Sequence, residues 1–365
     1  MTPSATGGPE PAATSPRRDR KARMPTSRRP LHRSVRATAV AVALAATTAS
    51  CGLQGANQFI PSAEPGSIQP VPALDGVEVV VAGKSFTEQL ILAKMLALSL
   101  EVAGADVVDN SGIPSSVSAR SSLVQGDSDV QFEYTGTAWL TYLDQTETIP
   151  DSQEQYEAVR DLDAENGLTW LPPSPMENAY AFAMGPETAQ RLGITRTSQI
   201  AEVPVEERTF CLEPEFRSRS DGFEPLLEAY DLPLDSPEGV PRDQIGIYDL
   251  GVVYSETARG TCSFGEVFTT DGRIASLDLT VLEDDRNFFP AYNAALVFNT
   301  ETLEAHPEIA DVLQPVSQAL SNDVLIELNR RVDVDGEDPA LVARDWLASA
   351  GFLTCEECPP ADDRS

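Results

Sequence analysis

The sequence predicts an α/β fold in two compact parts, and three observations support that prediction. Short β-branched runs alternate with longer apolar segments of helical period. The 365 residues suffice for two domains once a leader is set aside. Beyond that leader, no stretch approaches the length of a membrane-spanning helix.

The leader comes first. Residues 1–36 are basic and rich in Pro, Ser and Thr; residues 37–50 are small and apolar, and Cys51-Gly52 follows. A basic segment, a short apolar segment and then Cys is the pattern of a bacterial lipoprotein signal. We expect residues 1–50 to be a signal peptide and Cys51 to be lipidated, although Thr48 stands where Leu is commonest. Met24 begins a leader of more typical length, and the Arg28-Arg29 pair also permits a twin-arginine reading. Residues 52–75 lack a sustained periodic apolar pattern and read as a flexible tether.

The folded part starts at Gly76. Val77–Ala82 reads as a buried strand, Gly83-Lys84 as a turn, and Ser85 with Glu88 as a capping box for a helix that Gly104 stops. A strand over 106–109, a helix over 115–124 and a strand over 130–134 follow, the last ending in Thr-Gly-Thr. Further strands are expected over 179–184, 208–212, 264–269, 279–282 and 295–299, with a helix over 253–259. Helices over 307–320, broken or kinked at Pro315, over 322–332 and over 339–350 close the chain. This alternation argues for mainly parallel sheets.

Charge narrows the function. The chain carries a formal net charge of -31, and the first 50 residues hold nine of its 26 basic and two of its 57 acidic side chains. The remainder sets 17 basic against 55 acidic residues, a net of -38. Such a surface repels nucleic acid and anionic lipid, so neither is an expected partner. One of the two histidines, His32, lies in the leader, leaving His306 for any triad or multi-histidine metal site. His306 stands before Pro307 at a polar helix start, where it reads as an exposed structural residue. Glu283-Asp284-Asp285 reads as a solvated turn rather than a metal site, and no metal or cofactor is expected. Paired carboxylates such as Glu133 and Asp271 keep open a rival reading as a secreted enzyme.

Four strings carry a resemblance: VVVAGKSFTEQLILAKMLALSLE, DVQFEYTGTAWL, EPEFRSRSDG and FTTDGRIASLDLTVLEDDRNFFPAYNAALVFN. Together they resemble the osmoprotectant-binding proteins of glycine betaine/carnitine/choline ABC importers, in order over about residues 77–353. The resemblance implies a two-lobed periplasmic-binding-protein-like (type II) fold with the ligand cleft between lobes. Residues 76–178 plus 290–354 would form one lobe, 179–289 the other, and 355–365 a tail. It implies a non-catalytic monomer that closes on a small quaternary-ammonium solute, glycine betaine foremost, and docks on permease subunits. A trimethylammonium group donates no hydrogen bond, so aromatic faces must hold it. By resemblance Tyr134, Tyr180, Tyr292 and Phe268 form the cage, Phe268 standing where Tyr is frequent. Lys84, Thr137 and Arg219 fall on the carboxylate side, with Arg217 the alternative to Arg219. Gln89 and Asn178 follow as secondary polar candidates.

Cys211, Cys262, Cys355 and Cys358 remain after Cys51. Outside the cytoplasm they can pair. Cys211 with Cys262 would close a loop of about 50 residues, and Cys355 with Cys358 would form a local bridge.

Overall fold

The computed structural model describes residues 59–355 except Glu147 and Pro150, together with Cys358. The leader, Cys51 and the expected lipid anchor lie outside the described residues. Among these, no helix is long and apolar enough to cross a membrane.

Two five-stranded sheets form the frame. The first runs Asp106–Ile113, Glu78–Lys84, Val130–Tyr134, Ala294–Asn299 and Leu168–Trp170 in spatial order. The second runs Thr280–Val281, Tyr180–Met184, Phe264–Phe268, Phe210–Leu212 and Ile245–Ile247. The chain therefore leaves the first sheet after Trp170 and returns to it at Ala294. Both sheets are mixed rather than mainly parallel. Glu78–Lys84 is parallel to both its neighbours, but Ala294–Asn299 is antiparallel to Val130–Tyr134, with Ala294 opposite Tyr134. In the second sheet, Tyr180 likewise sits opposite Phe268 in an antiparallel pair. The reason is topological. A strand arriving from the other sheet starts where the resident strands end, so it runs against them.

The helix Thr87–Ala103 is the backbone of the first sheet's core. Thirteen of its 17 residues are buried, so it is apolar nearly all round. It packs on Glu78–Lys84 and Asp106–Ile113 and against the helices Glu308–Gln318, Asn322–Asp333 and Pro339–Ser349. Gly104 ends it in a left-handed conformation, φ 104°, donating to the carbonyls of Glu101 and Leu100. One apolar cluster continues from this helix through Tyr134, Tyr180 and Tyr292 into Phe182, Phe210 and Phe264 of the second sheet.

Several expectations change. Gly83 and Lys84 are the end of a strand, not a turn. The capping box is absent: Phe86 occupies the cap position without a side-chain bond, and Glu88 turns inward. Helix Glu308–Gln318 runs through Pro315 unbroken. His306 is half-buried and closes the helix Thr300–Ala305 rather than opening one. The stretch 59–75, expected as tether, is packed. Glu64–Pro65 pairs with Leu353–Thr354, Val71 donates its N–H to Ala103 O, and Ile68 and Leu74 are buried. Its apolar residues at three-residue spacing give it a face to bury, which composition hides.

Cys211 and Cys262 are bridged across 51 residues and buried beneath Val253. In the chain-entropy model such a loop contributes roughly 4 kcal/mol. Cys355 and Cys358 are bridged as well.

Candidate ligand-binding site

Strand ends place the site. Tyr134 ends its strand opposite Ala294, which begins its own, and Tyr180 begins a strand of the second sheet. A cleft of about 760 Å³ opens there, lined from both sheets. Ligands in α/β proteins collect outside the carboxyl ends of strands.

One wall of the cleft is aromatic. Ring centroids step from Tyr134 to Phe86 (6.3 Å), to Phe268 (5.2 Å), to Tyr180 (4.9 Å) and to Tyr292 (6.0 Å). Gly136 makes the last ring fit: a Cβ there would lie 2.6 Å from Tyr292 Cδ1. Burial pushes the three tyrosine hydroxyls well above the ordinary range, so each stays a neutral donor.

Two cations lie over these rings. Lys84 Nζ donates to Glu133 Oε1 at 2.6 Å and lies 5.1 Å from the Tyr134 centroid. Arg219 forks onto Asp221 at 2.6 and 2.5 Å, donates to Thr137 Oγ1 at 3.3 Å, and lies 5.4 Å from the Tyr180 centroid. Tyr292 also donates to Asp221, at 2.7 Å. Burial works against the Arg219 charge, but the Asp221 carboxylate onto which it forks opposes that and holds its pKa up. Glu215 crosses the cleft mouth, accepting from Ser116 N at 3.3 Å and from Arg219 Nη1 at 3.3 Å.

Behind the rings lies Glu88, fully buried. It accepts from Tyr134 Oη (2.6 Å), Asn178 Nδ2 (2.9 Å), Thr270 Oγ1 (2.5 Å) and Asn329 Nδ2 (3.3 Å). Burial raises its pKa, and the four donated bonds oppose the rise.

The comparisons fit this geometry. Residues 77–349 match the family model of the substrate-binding domain of ABC-type glycine betaine transport systems. The chain belongs to this family. As a member of the glycine betaine transport family, it is a solute-binding component and not an enzyme. It is 37% identical over 281 residues to a glycine-betaine-binding protein of Pseudomonas aeruginosa, covering 75% of this chain and 88% of that one. It is 31% identical over 285 residues to an ergothioneine transport permease/ergothioneine-binding protein of Helicobacter pylori, covering 78% of this chain but 49% of that longer one. A crystal structure described as a glycine betaine/carnitine/choline ABC transporter superposes with a TM-score of 0.61 at 25% identity, covering 75% of this chain and 99% of that chain. The two-lobed fold of the family is thus the fold of this chain.

Against this family background, Lys84, Tyr134, Thr137, Asn178, Tyr180, Arg219, Phe268 and Tyr292 all line the cleft. Gln89 does not line it. It sits in the first helical turn facing the sheet, donating to Phe132 O and Tyr134 Oη and accepting from Lys84 N. Arg217 is turned away onto Glu224 at 2.6 Å, which singles out Arg219 as the cleft arginine. Glu133 and Asp271 do not pair, since Glu133 holds Lys84 and Asp271 holds Arg273. Asp284 accepts from Tyr230 and from the N–H groups of Phe288 and Phe289, and Asp285 accepts from Ser198, so this acidic run stabilises a turn. Sequence reasoning missed Phe86, Glu88 and Glu215. Phe86 sits inside the GKSFTEQ string, so that signal was available.

Proposed function

We propose that the protein is the extracytoplasmic binding component of an ABC importer, capturing a quaternary-ammonium solute, glycine betaine foremost. The arc of five rings carries this reading. It offers apolar, electron-rich faces to a group that donates no hydrogen bond, each contact contributing about 0.5–2 kcal/mol. Tyr134, Tyr180, Phe268 and Tyr292 hold the cation, with Phe86 completing the arc. Lys84, Thr137 and Arg219 receive the carboxylate, and Asn178 supports them. Lys84 directs one of its three N–H bonds to Glu133, and the other two suit a ligand oxygen. Cys51 lipid tethers a monomer at the outer face of the membrane, where the closed form meets permease subunits.

Choline is the second reading. The pairing of Lys84 with Glu133 and of Arg219 with Asp221 favours it, because each cation already has a carboxylate. Calorimetric titration with glycine betaine, then choline, carnitine and ergothioneine, tests both. Saturable one-to-one binding of betaine that is lost in Tyr292→Ala supports the first. Heat with choline alone replaces it with the second, and no heat with any of the four would reject the ligand class.

A further inference from the structure

Glu88 is a buried carboxylate directly behind the cage rings, and its bonding partners, among the described residues, are all neutral: two amides and two hydroxyls. Each partner donates. Tyr134 Oη already accepts from Gln89 Nε2 at 3.2 Å, so its own hydrogen is directed at Glu88. A carboxyl that receives four hydrogen bonds and gives none has the bonding of an ionised carboxylate. The neighbouring cations are engaged elsewhere. Lys84 is on Glu133, while Arg273 forks onto Asp271 and approaches Asp333 at 3.5 Å. Burying a carboxylate with no cation to match it is costly.

The position of that charge gives it a use. Glu88 shares a small cavity of about 10 Å³, room for a single water, with Phe86, Asn178 and Phe268, all of which also line the ligand cleft. Tyr134, another cage ring, is bonded to it directly. The carboxylate therefore stands one side chain behind the aromatic arc.

We infer that Glu88 is the buried counter-charge for the bound cation, acting through the cage rings without touching the ligand. This rests on the functional reading above and adds a specificity-determining residue to it. The rings select for shape and surface; Glu88 selects for positive charge within that shape.

The test separates charge from shape. Glycine betaine and 3,3-dimethylbutanoate share a carboxylate and a three-methyl head, and differ by a nitrogen cation in place of a neutral carbon. Affinities of both are measured on the full chain as wild type, Glu88→Gln and Glu88→Asp, the isostere by displacement of betaine. Glutamine fits the site, because Asn178 has an unpartnered buried Oδ1 that an amide flip turns toward it, while Asn329 keeps its Nδ2 on Thr270 O.

Glu88→Gln is expected to cut the preference for betaine over its isostere by roughly ten- to a hundredfold, the range for a unit charge several ångströms away at an effective dielectric of about 20. Isostere affinity should hardly move, and the ligand-free variant should melt no lower than wild type. Glu88→Asp should keep the preference within a few-fold. Equal loss of both ligands in Glu88→Gln, or a variant that fails to fold, overturns the inference, because the carboxylate would then be a structural clasp. Betaine binding by wild type with an unmoved preference also removes this role for Glu88 while leaving the functional reading intact. If wild type binds neither compound, both fail.

Discussion

Two regions of the cleft are bonded on opposite plans. Behind the row of neutral rings lies Glu88, a carboxyl that no cation meets among the described residues. On the cleft side of Tyr134 and Tyr180 lies a pair of cations, Lys84 and Arg219, each already matched by a carboxylate of its own. The first region is left electrostatically incomplete and the second nearly complete. A ligand cation therefore gains an environment that the empty protein lacks, whereas a ligand carboxylate must share donors with Glu133, Asp221 and Glu215. The cationic head should dominate affinity, and the far end should sort among heads of the same kind.

The harshest way to break this contrast is at the rings. Tyr180→Ala removes the ring that touches Phe268, Phe216 and Tyr292 and underlies Arg219. Titration should show betaine and choline both weakened by at least about a hundredfold, since two or more aromatic contacts and their packing are lost together. Lys84→Ala acts on the other region. Betaine should weaken by roughly ten- to a hundredfold, as for loss of a charged hydrogen bond, while choline holds or tightens because Glu133 loses its cation and keeps only neutral donors. Parallel losses for the two solutes would abolish the distinction between the regions.

A third prediction concerns pH. Glu266 is fully buried near Arg219, with Oε2 accepting from Glu213 N at 2.9 Å and Oε1 unpartnered. Burial raises its pKa well above 4.5, with the charge of Glu213 adding to the rise, and Glu213 is itself raised by burial. Arg219 opposes the shift and Glu215 reinforces it. A raised folded-state value means that the folded protein holds protons the unfolded chain has released. Stability is then full below 4.5 and falls as pH rises through the folded values. The ligand-free protein should melt higher at mildly acidic than at neutral pH, and Glu266→Gln should flatten that slope. The smallest effect is expected at the mouth. Glu215→Gln weakens the bond from Ser116 across the cleft. Stopped-flow release should quicken only about two- to fivefold, the worth of one long, partly exposed hydrogen bond.

Legibility in the sequence followed the range of the interactions. The strands read over 77–82 and 130–134 announce themselves through local β-branched runs, though Gly83-Lys84 hides the end of the first, and the helix after it shows through its Gly104 stop. The short edge strand Ile245–Ile247, half exposed, has too few residues to show a period. Helix Ser152–Asp163 buries few apolar residues, Tyr156 and Val159 among them, and its start at Asp151 was overlooked. Glu88 is the instructive miss. Ser85 and Glu88 fit a local capping pattern, but the partners that hold Glu88 lie between 46 and 241 residues away, where no local pattern reaches. The cleft residues were found through the resemblance of whole strings; spacing alone would have left each tyrosine a core residue.

The pairing of Glu64–Pro65 with Leu353–Thr354 has a practical consequence. With the bond from Val71 N to Ala103 O, it holds the stretch 64–71 at the Ala103 end of a helix whose other end, at Phe86 and Glu88, builds the cage. Seventeen residues of α-helix make a strut of roughly 25 Å. A dye attached within residues 64–71 therefore bears on the end of the strut remote from the cage. The protein can be labelled at that end as a sensor for its solute without the label entering the cleft.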